Sequence, residues 1–144
     1  MRLSDAEVFI MMTQDAVPAD EHLVEELLEG LEQENVAAAY ARQLAENSCS
    51  EAEKFTRSFN YPEEKSVKTK ADIDTIGIKA FFCSNVCAAY RRDIFDALGG
   101  FVKHTIFNED MIYAAGALRA GYGIAYQPEA KVYHSHDYTN GEQF

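Results

Sequence analysis

The chain has 144 residues, 47% of them apolar, which suits one domain with a sizeable buried core. Its formal net charge of −11 argues against nucleic acid as a partner and against unaided attraction to an anionic membrane. No apolar run approaches the length of a membrane span, and no charged-then-apolar leader opens the chain. The three cysteines are an odd number, and Cys83 and Cys87 lie in an apolar stretch, which predicts buried, reduced thiols in a cytoplasmic protein.

The first element is the apolar run Val8–Met12, which predicts a central strand buried on both faces. Thr13, Gln14 and Asp15 follow it, and Pro18 ends any ladder pairing. A carboxylate just past the carboxyl end of a central strand lies where open α/β sheets bind their ligands. The alternative is that Asp15 only caps a turn.

Helices and strands are predicted to alternate along the rest of the chain. Helices are expected at Asp20–Gln33, Ser50–Phe59, Arg92–Leu98 and from Asn108 to about Gly121. Strands are expected at Val36–Ala41, Ile124–Tyr126 and Lys131–His134. Gly77–Arg91 is expected to form two short strands bent at Ser84-Asn85, or one strand with a bulge there. The stretch Tyr61–Asp74 is typical of a mobile surface loop, with an active-site flap as the alternative. This order predicts an α/β domain whose mixed sheet is mainly parallel and flanked by helices.

Two further places carry polar residues that periodicity does not explain. Glu109 and Asp110 begin a predicted helix, where carboxylates are more often partners of the helix dipole than catalysts. His134 and His136 lie two apart at a strand end, so they face one side and could converge on a ligand. A histidine pair of this kind is more often an ordinary surface feature. A carboxylate with imidazoles suits a divalent metal such as Mn²⁺ or Mg²⁺.

Four motifs follow one another in order: Thr13-Gln14-Asp15; Ser84-Asn85 with Tyr90-Arg91-Arg92; Gly99-Gly100-Phe101 with Glu109-Asp110 and Gly121-Tyr122; and Tyr133-His134-Ser135-His136. In this order they resemble family 2 glycosyltransferases of the GT-A fold, in particular the bacterial rhamnosyltransferase-like members. The first motif is similar to the family's aspartate-any-aspartate segment and the second to its acceptor-side segment. The third is similar to the segment of the catalytic base, and the fourth to a histidine segment near the C-terminus.

The resemblance implies a role for each site residue. Asp15, with His134 or His136, would hold a divalent metal, Mn²⁺ or Mg²⁺, that binds the diphosphate of a nucleotide-sugar donor. Asp110 would deprotonate the hydroxyl of a glycan or lipid-linked acceptor, with Glu109 in support. The residues that would contact substrate are Thr13, Gln14, Ser84, Asn85 and Arg91. A single displacement in bacterial polysaccharide synthesis, with inversion of the anomeric centre, is the implied reaction.

The chain also departs from the family's pattern. Thr13 stands where the family has the first aspartate, and the N-terminal half that supplies the nucleotide-base pocket is absent. We therefore expect residues 1–144 to form a single truncated catalytic domain, cytoplasmic or peripheral at the inner face of the membrane. Loss of the first strands would expose a sheet edge, which predicts a homo-oligomer formed through that edge. Two alternatives are a non-catalytic remnant that acts by association and a metal hydrolase that uses Asp15 and the two histidines.

Overall fold

Six strands and five α-helices are present in residues 4–45 and 49–134, the part of the chain that the computed structural model describes. The strands are β1 (Val8–Met12), β2 (Ala16–Pro18), β3 (Val36–Leu44), β4 (Ser66–Lys68), β5 (Cys87–Arg91) and β6 (Gly123–His134). The helices are α1 (Leu23–Gly30), α2 (Glu51–Asn60), α3 (Asp72–Ile76), α4 (Arg92–Ala97) and α5 (Glu109–Arg119). A short 3-10 helix covers Gly77–Phe81.

All the described strands join one mixed sheet in the order β1-β5-β3-β6-β2, with β4 also paired to β6. The pair β3–β6 is parallel, and β1–β5, β3–β5, β2–β6 and β4–β6 are antiparallel. The expected mixed α/β sheet flanked by helices is therefore confirmed. Its parallel share is smaller than expected, because β3–β6 is the one parallel pair among the five pairs that the described residues form.

Strand β1 forms where the apolar run predicts a strand, but the prediction of a central strand buried on both faces is wrong. Within the described chain, β1 is an edge strand that pairs with β5 alone. Ile10, Met11 and Met12 are 36–46% exposed. Phe9 is the best-anchored side chain of the strand, since its ring stacks on Tyr90 with 5.4 Å between the centroids. An apolar run indicates that a segment tends to be buried, but it does not indicate which strands or helices pack against that segment.

The sheet separates two apolar clusters. On one face, Tyr40 and Tyr90 pack with Leu118 of α5. On the other face, Val36 of β3 and Leu27 of α1 form the second cluster. Alanines occupy much of β3 and β5, and these small side chains let the helices lie close to the sheet.

Helix α1 ends in a close contact with the sheet at Gly30. A Cβ atom at this position would come within 2.7 Å of Gln127 and 2.8 Å of Ala39. The helix begins and ends within the predicted Asp20–Gln33 range but is shorter, because Asp20 accepts the His22 N–H in a turn that precedes it. Of the predicted apolar stripe, Leu23, Leu27 and Leu31 are buried, while Val24 and Leu28 are exposed.

Three predicted segments fold differently. The expected loop Tyr61–Asp74 contains β4 and the start of α3, since Val67 and Lys68 pair with Ala125 and Ile124 of β6. The first of the two strands expected within Gly77–Arg91 is the 3-10 helix, which packs Ala80 and Phe81 onto the core. The last two strands are one strand, β6, because a register shift opposite Ala41 and Arg42 accommodates Pro128 inside it.

Helix α5 begins directly after Asn108, as predicted, but not through a side-chain cap. Asn108 has φ +65° and its side chain makes no capping hydrogen bond, so the helix starts after a left-handed residue. Glu109 and Asp110 occupy the first turn. The helix therefore presents these two carboxylates toward the loop that precedes β5.

Candidate active site

The parallel strands β3 and β6 bring two polar side chains together near their carboxyl ends. Gln43 and His134 are 8% and 6% exposed, and His134 Nδ1 lies 3.2 Å from Gln43 Oε1. On its other side, His134 Nε2 lies 3.3 Å from Asp15 Oδ2. Asp15 is half-exposed in the turn between β1 and β2. The site thus has a buried imidazole between an amide and a carboxylate that faces solvent.

The contacts of Gln43 determine which ring nitrogen of His134 carries a proton. Arg57 donates to Gln43 Oε1, so this atom is the amide oxygen and an acceptor. His134 Nδ1 must then be the donor in its contact with Gln43. In neutral His134, Nε2 therefore presents a lone pair toward the Asp15 carboxylate, and two acceptors face each other at 3.3 Å. Either a proton or a metal cation resolves that arrangement.

The amide nitrogen of Gln43 extends the same network into the core. Gln43 Nε2 donates to Ser84 Oγ at 2.9 Å and to the Tyr61 hydroxyl. Burial raises the pKa of Tyr61 to about 12, so this hydroxyl stays protonated at neutral pH. Gln43 thereby uses both ends of its amide, and a rigid, satisfied network supports His134.

The loop before β5 ties this network to the start of α5. The backbone N–H of Asn85 donates to Asp110 Oδ2 at 3.0 Å, and its side-chain Nδ2 donates to Glu109 Oε1 at 3.0 Å. Tyr90 donates to Asn85 Oδ1 at 2.6 Å, which fixes the orientation of the Asn85 amide. Asp110 Oδ1 also accepts the backbone N–H of Met111 at 2.7 Å. A carboxylate has about four lone-pair positions, so Asp110 keeps capacity for a further hydroxyl donor.

Thr13 connects the Asp15 turn to the same loop. Its backbone N–H donates to the Val86 carbonyl at 3.1 Å, and its carbonyl accepts from Ala16 N at 3.1 Å. Thr13 Oγ1 is buried and has no hydrogen-bond partner in the described part of the chain. A buried hydroxyl in this state is costly unless a bound group satisfies it. Gln14, by contrast, is simply exposed.

Most of the predicted site residues therefore lie in one connected cluster, and Arg91 does not. The cluster holds Thr13, Asp15, Ser84, Asn85, Glu109, Asp110 and His134, with Gln14 at its exposed rim. Arg91 lies at the far end of β5, opposite Val8, where it donates to the carbonyls of Leu31 and Gln33. The structure thus gives Arg91 contacts with the chain after α1 and does not bring it to the cluster. His136 lies outside the described residues.

Three members of the network were missed by the sequence analysis. Gln43 had a usable signal, because a polar residue near the carboxyl end of a buried strand obeys the same rule that selected Asp15. Arg57 and Tyr61 had none, since one lies on an exposed helix and the other just after it. Their place in the site depends on how α2 docks against the sheet.

Comparison with known sequences decides the family. The sequence model described as "Glycosyl transferase family 2" matches residues 1–99. The chain belongs to glycosyl transferase family 2. Its mixed sheet flanked by helices is consistent with a partial GT-A fold, so both the resemblance and the fold class are confirmed. The family match includes Asp15 and Gln43 and ends before Glu109, Asp110 and His134.

Two curated relatives align with nearly the whole chain. The O-antigen chain rhamnosyltransferase WbaN of Salmonella anatum is 45% identical over 140 residues, covering 97% of this chain and 44% of the relative. The O-antigen chain rhamnosyltransferase RfbN of Salmonella typhimurium is 46% identical, covering 97% of this chain and 45% of the relative. This member of family 2 therefore spans less than half the length of these relatives. No helix in the described residues has the length and apolarity needed to cross a bilayer.

Proposed function

We propose that this chain carries the acceptor-side and metal-binding parts of a glycosyltransferase in bacterial polysaccharide synthesis. The enzyme transfers a sugar from a nucleotide-diphosphate donor to an acceptor hydroxyl, and the names of the relatives suggest that this sugar is rhamnose. The observation that carries the proposal is the single network from Asp15 through His134, Gln43 and Ser84 to the loop bonded to Asp110. This network connects Asp15 and His134, which are suited to bind a cation, to Asp110, whose carboxylate is suited to act as a base. Family membership and the two rhamnosyltransferase relatives support it.

A divalent cation fits the Asp15–His134 pair as a partial site. Among residues 4–45 and 49–134, no group of three or more His, Cys, Asp or Glu side chains is arranged to hold a metal. Mn²⁺ and Mg²⁺ commonly take one or two protein ligands and complete their shell with substrate phosphates and water. Asp15 and His134 Nε2 would hold the ion, and its charge would stabilise the departing diphosphate. Gln43 keeps Nδ1 protonated, so the lone pair of neutral His134 lies on Nε2, the nitrogen that faces Asp15.

Asp110 acts on the acceptor in the proposed reaction. Its carboxylate takes the proton of the acceptor hydroxyl while that oxygen forms a bond to the anomeric carbon of the donor sugar. The bond from that carbon to the diphosphate oxygen breaks, and the electron pair leaves with the diphosphate. Attack from the opposite face inverts the anomeric centre. The two N–H donors to Asp110 fix the direction of its carboxylate, and Glu109 holds the Asn85 side chain that completes this geometry.

Turnover with a matched pair of variants tests the proposal. The assay follows transfer of labelled sugar from a nucleoside diphosphate rhamnose to lipid-linked glycan acceptors, and NMR of the product reports the anomeric configuration. Asp110→Asn keeps size and polarity but cannot accept the proton, so we expect a loss of about 10²–10⁴-fold in rate. Glu109→Gln retains an oxygen that accepts from Asn85 and should lose much less. Near-normal turnover by Asp110→Asn, or a product with retained configuration, would contradict the mechanism.

A second candidate function is a non-catalytic association module. The observation that favours it is the exposed apolar edge formed by Ile10, Met11 and Met12 on β1. Unpaired strand edges bind other strands readily, including those of a second copy of this chain. A chain that associates through β1 but transfers no sugar under the conditions above would support this function and not the first.

The proposed location is the cytoplasm, or the inner face of the membrane where a lipid-linked acceptor would be met. Cys83 and Cys87 support a reducing compartment, because both are buried and neither forms a disulfide.

A further inference from the structure

A cavity of about 320 Å³ opens beside the active-site network. Its walls include the rings of Tyr40, Phe82 and Tyr126, and Phe59 closes one side. Lys68 and Lys79 also line it. The volume falls in the range of natural small-molecule pockets, and the combination of aromatic walls with two cationic groups is chemically specific. No predicted site residue lies in its lining.

Lys68 places a buried ammonium group in this cavity. The side chain is 8% exposed, and Nζ donates to the Tyr40 hydroxyl at 3.2 Å and to the Phe82 carbonyl. Nζ also lies 4.8 Å from the centroid of the Tyr40 ring. The hydrogen-bond partners of Nζ in the described chain are both neutral, and Asp72 acts on the ammonium group only through its charge. A buried cation bonded to neutral groups favours an incoming anion. Burial lowers the pKa of Lys68 to about 8, so the ammonium form still predominates at neutral pH.

Lys79 adds a second positive charge at the exposed side of the cavity. Its Nζ lies 4.9 Å from the centroid of the Phe59 ring. The chain has a net charge of −11, but the charged side chains that line this aromatic pocket are the two lysines. Such a pocket selects a ligand that combines a flat apolar face with a phosphate.

The cavity is lined by residues that adjoin the proposed catalytic groups. Met111 lines it and directly follows Asp110 in α5. Tyr61 packs its ring against Phe82 and Tyr126, at 5.6 Å and 6.3 Å between centroids, while its hydroxyl accepts from Gln43. A ligand in the cavity would therefore contact the residue that follows Asp110 and the two rings that pack against Tyr61.

We propose that this cavity is the subsite for a glycosyl phosphate group of the acceptor. The apolar face of the sugar would pack on the aromatic rings, and Lys68 and Lys79 would bind the phosphate. This inference rests on the proposed function, because it assigns the ligand to the side of Asp110 that receives the new bond. The donor also contains a glycosyl phosphate, so the test must separate the two sources.

The test is a titration of the ¹⁵N-labelled chain with galactose 1-phosphate, followed by amide chemical shifts. Galactose and inorganic phosphate, each alone, are the ligand controls. We expect shifts at Lys68, Phe82 and Met111, and weaker binding by about 10- to 100-fold in Lys68→Met, since a charged hydrogen bond is lost. Lys70→Met removes an exposed lysine two residues away and should bind as the wild type does. Lys79→Gln changes an exposed side chain that the core does not need, and should also weaken binding.

A second arm uses UDP and dTDP with Mn²⁺. Lys68→Met should leave nucleotide binding unchanged, and Asp15→Asn should remove it while leaving galactose 1-phosphate binding intact. Loss of nucleotide binding in Lys68→Met would assign the cavity to the donor and overturn the inference. Absence of galactose 1-phosphate shifts at the cavity of the wild-type chain, or equal affinity in Lys79→Gln, would also overturn it. Failure of nucleotide binding alone would count against the proposed function and not against the subsite.

Discussion

Replacing Gln43 by leucine tests the network that supports the site. The amide donates to Ser84 and Tyr61 and accepts from Arg57 and His134. In Gln43→Leu the two hydroxyls can rotate, but the N–H of His134 is buried and loses its acceptor. Arg57, which is half-buried, loses its contact with Gln43 as well. At about 1–3 kcal/mol for a stranded buried N–H, we expect a loss of about 1–3 kcal/mol in the free energy of unfolding.

Gln43→Glu is the matched control. Its carboxylate accepts from Arg57 and from His134 Nδ1, and the hydroxyls of Ser84 and Tyr61 can reverse to donate to it. We expect a smaller loss of stability than in the leucine variant. Urea unfolding followed by circular dichroism and tyrosine fluorescence measures both, since the chain has eight tyrosines and no tryptophan.

The same pair separates structural support from control of the His134 tautomer. The leucine variant should bind Mn²⁺ with a nucleoside diphosphate about 10- to 100-fold more weakly, and the glutamate variant should bind within a few fold of wild type. Calorimetry gives both affinities. A leucine variant as stable as wild type with unchanged metal affinity would refute the reasoning, and so would equal metal affinities in the two variants.

Three further predictions follow from burial and exposure. Burial lowers the pKa of Lys68 from 10.5 to about 8, so the folded chain loses this proton first and gains stability as pH rises from about 8 toward 10.5. Relative to Lys68→Met, urea unfolding should show the wild type gaining about 1.4 kcal/mol between pH 6.5 and pH 9, and identical pH dependence would contradict this. The wild type should sediment as a dimer or larger species through the β1 edge, and Ile10→Lys should be monomeric; a monomeric wild type would exclude this association. Burial raises the pKa of Cys83 to about 12 and of Cys87 to about 11, so both should resist iodoacetamide at pH 8 in the folded chain, and rapid labelling would disprove their burial.

Sequence patterns located most elements but not their surroundings. The strand at Val8–Met12 was predicted correctly, yet its position at the sheet edge depends on a pairing partner, β5, that lies far away in sequence. The three residues of β4 are too few to carry a period, so Tyr61–Asp74 was predicted as a loop. The apolar residues of Gly77–Phe81 fit a strand and a helical turn equally well, and packing of Ala80 decided between them.

Site residues could be predicted from the sequence where they lie directly at the end of a strand or at the start of a helix. Asp15 follows a strand and Asp110 begins a helix, and both positions have local signals. The direction of a strand has no such signal, so Arg91 was grouped with Asn85 although the strand carries it to the opposite end of the sheet. Gln43 and Arg57 matter because of the bonds they make across the fold, and no local pattern encodes those bonds.

Calorimetric titration of the chain with MnCl₂, in the presence and absence of UDP or dTDP, tests the central claim most directly. The claim predicts weak Mn²⁺ binding alone, because Asp15 and His134 form an incomplete shell, and binding at least about tenfold tighter with the nucleotide. Asp15→Asn should abolish the gain, and Glu21→Gln, which changes an exposed carboxylate in the turn before α1, should preserve it. Tight Mn²⁺ binding that neither the nucleotide nor Asp15→Asn affects would contradict the account.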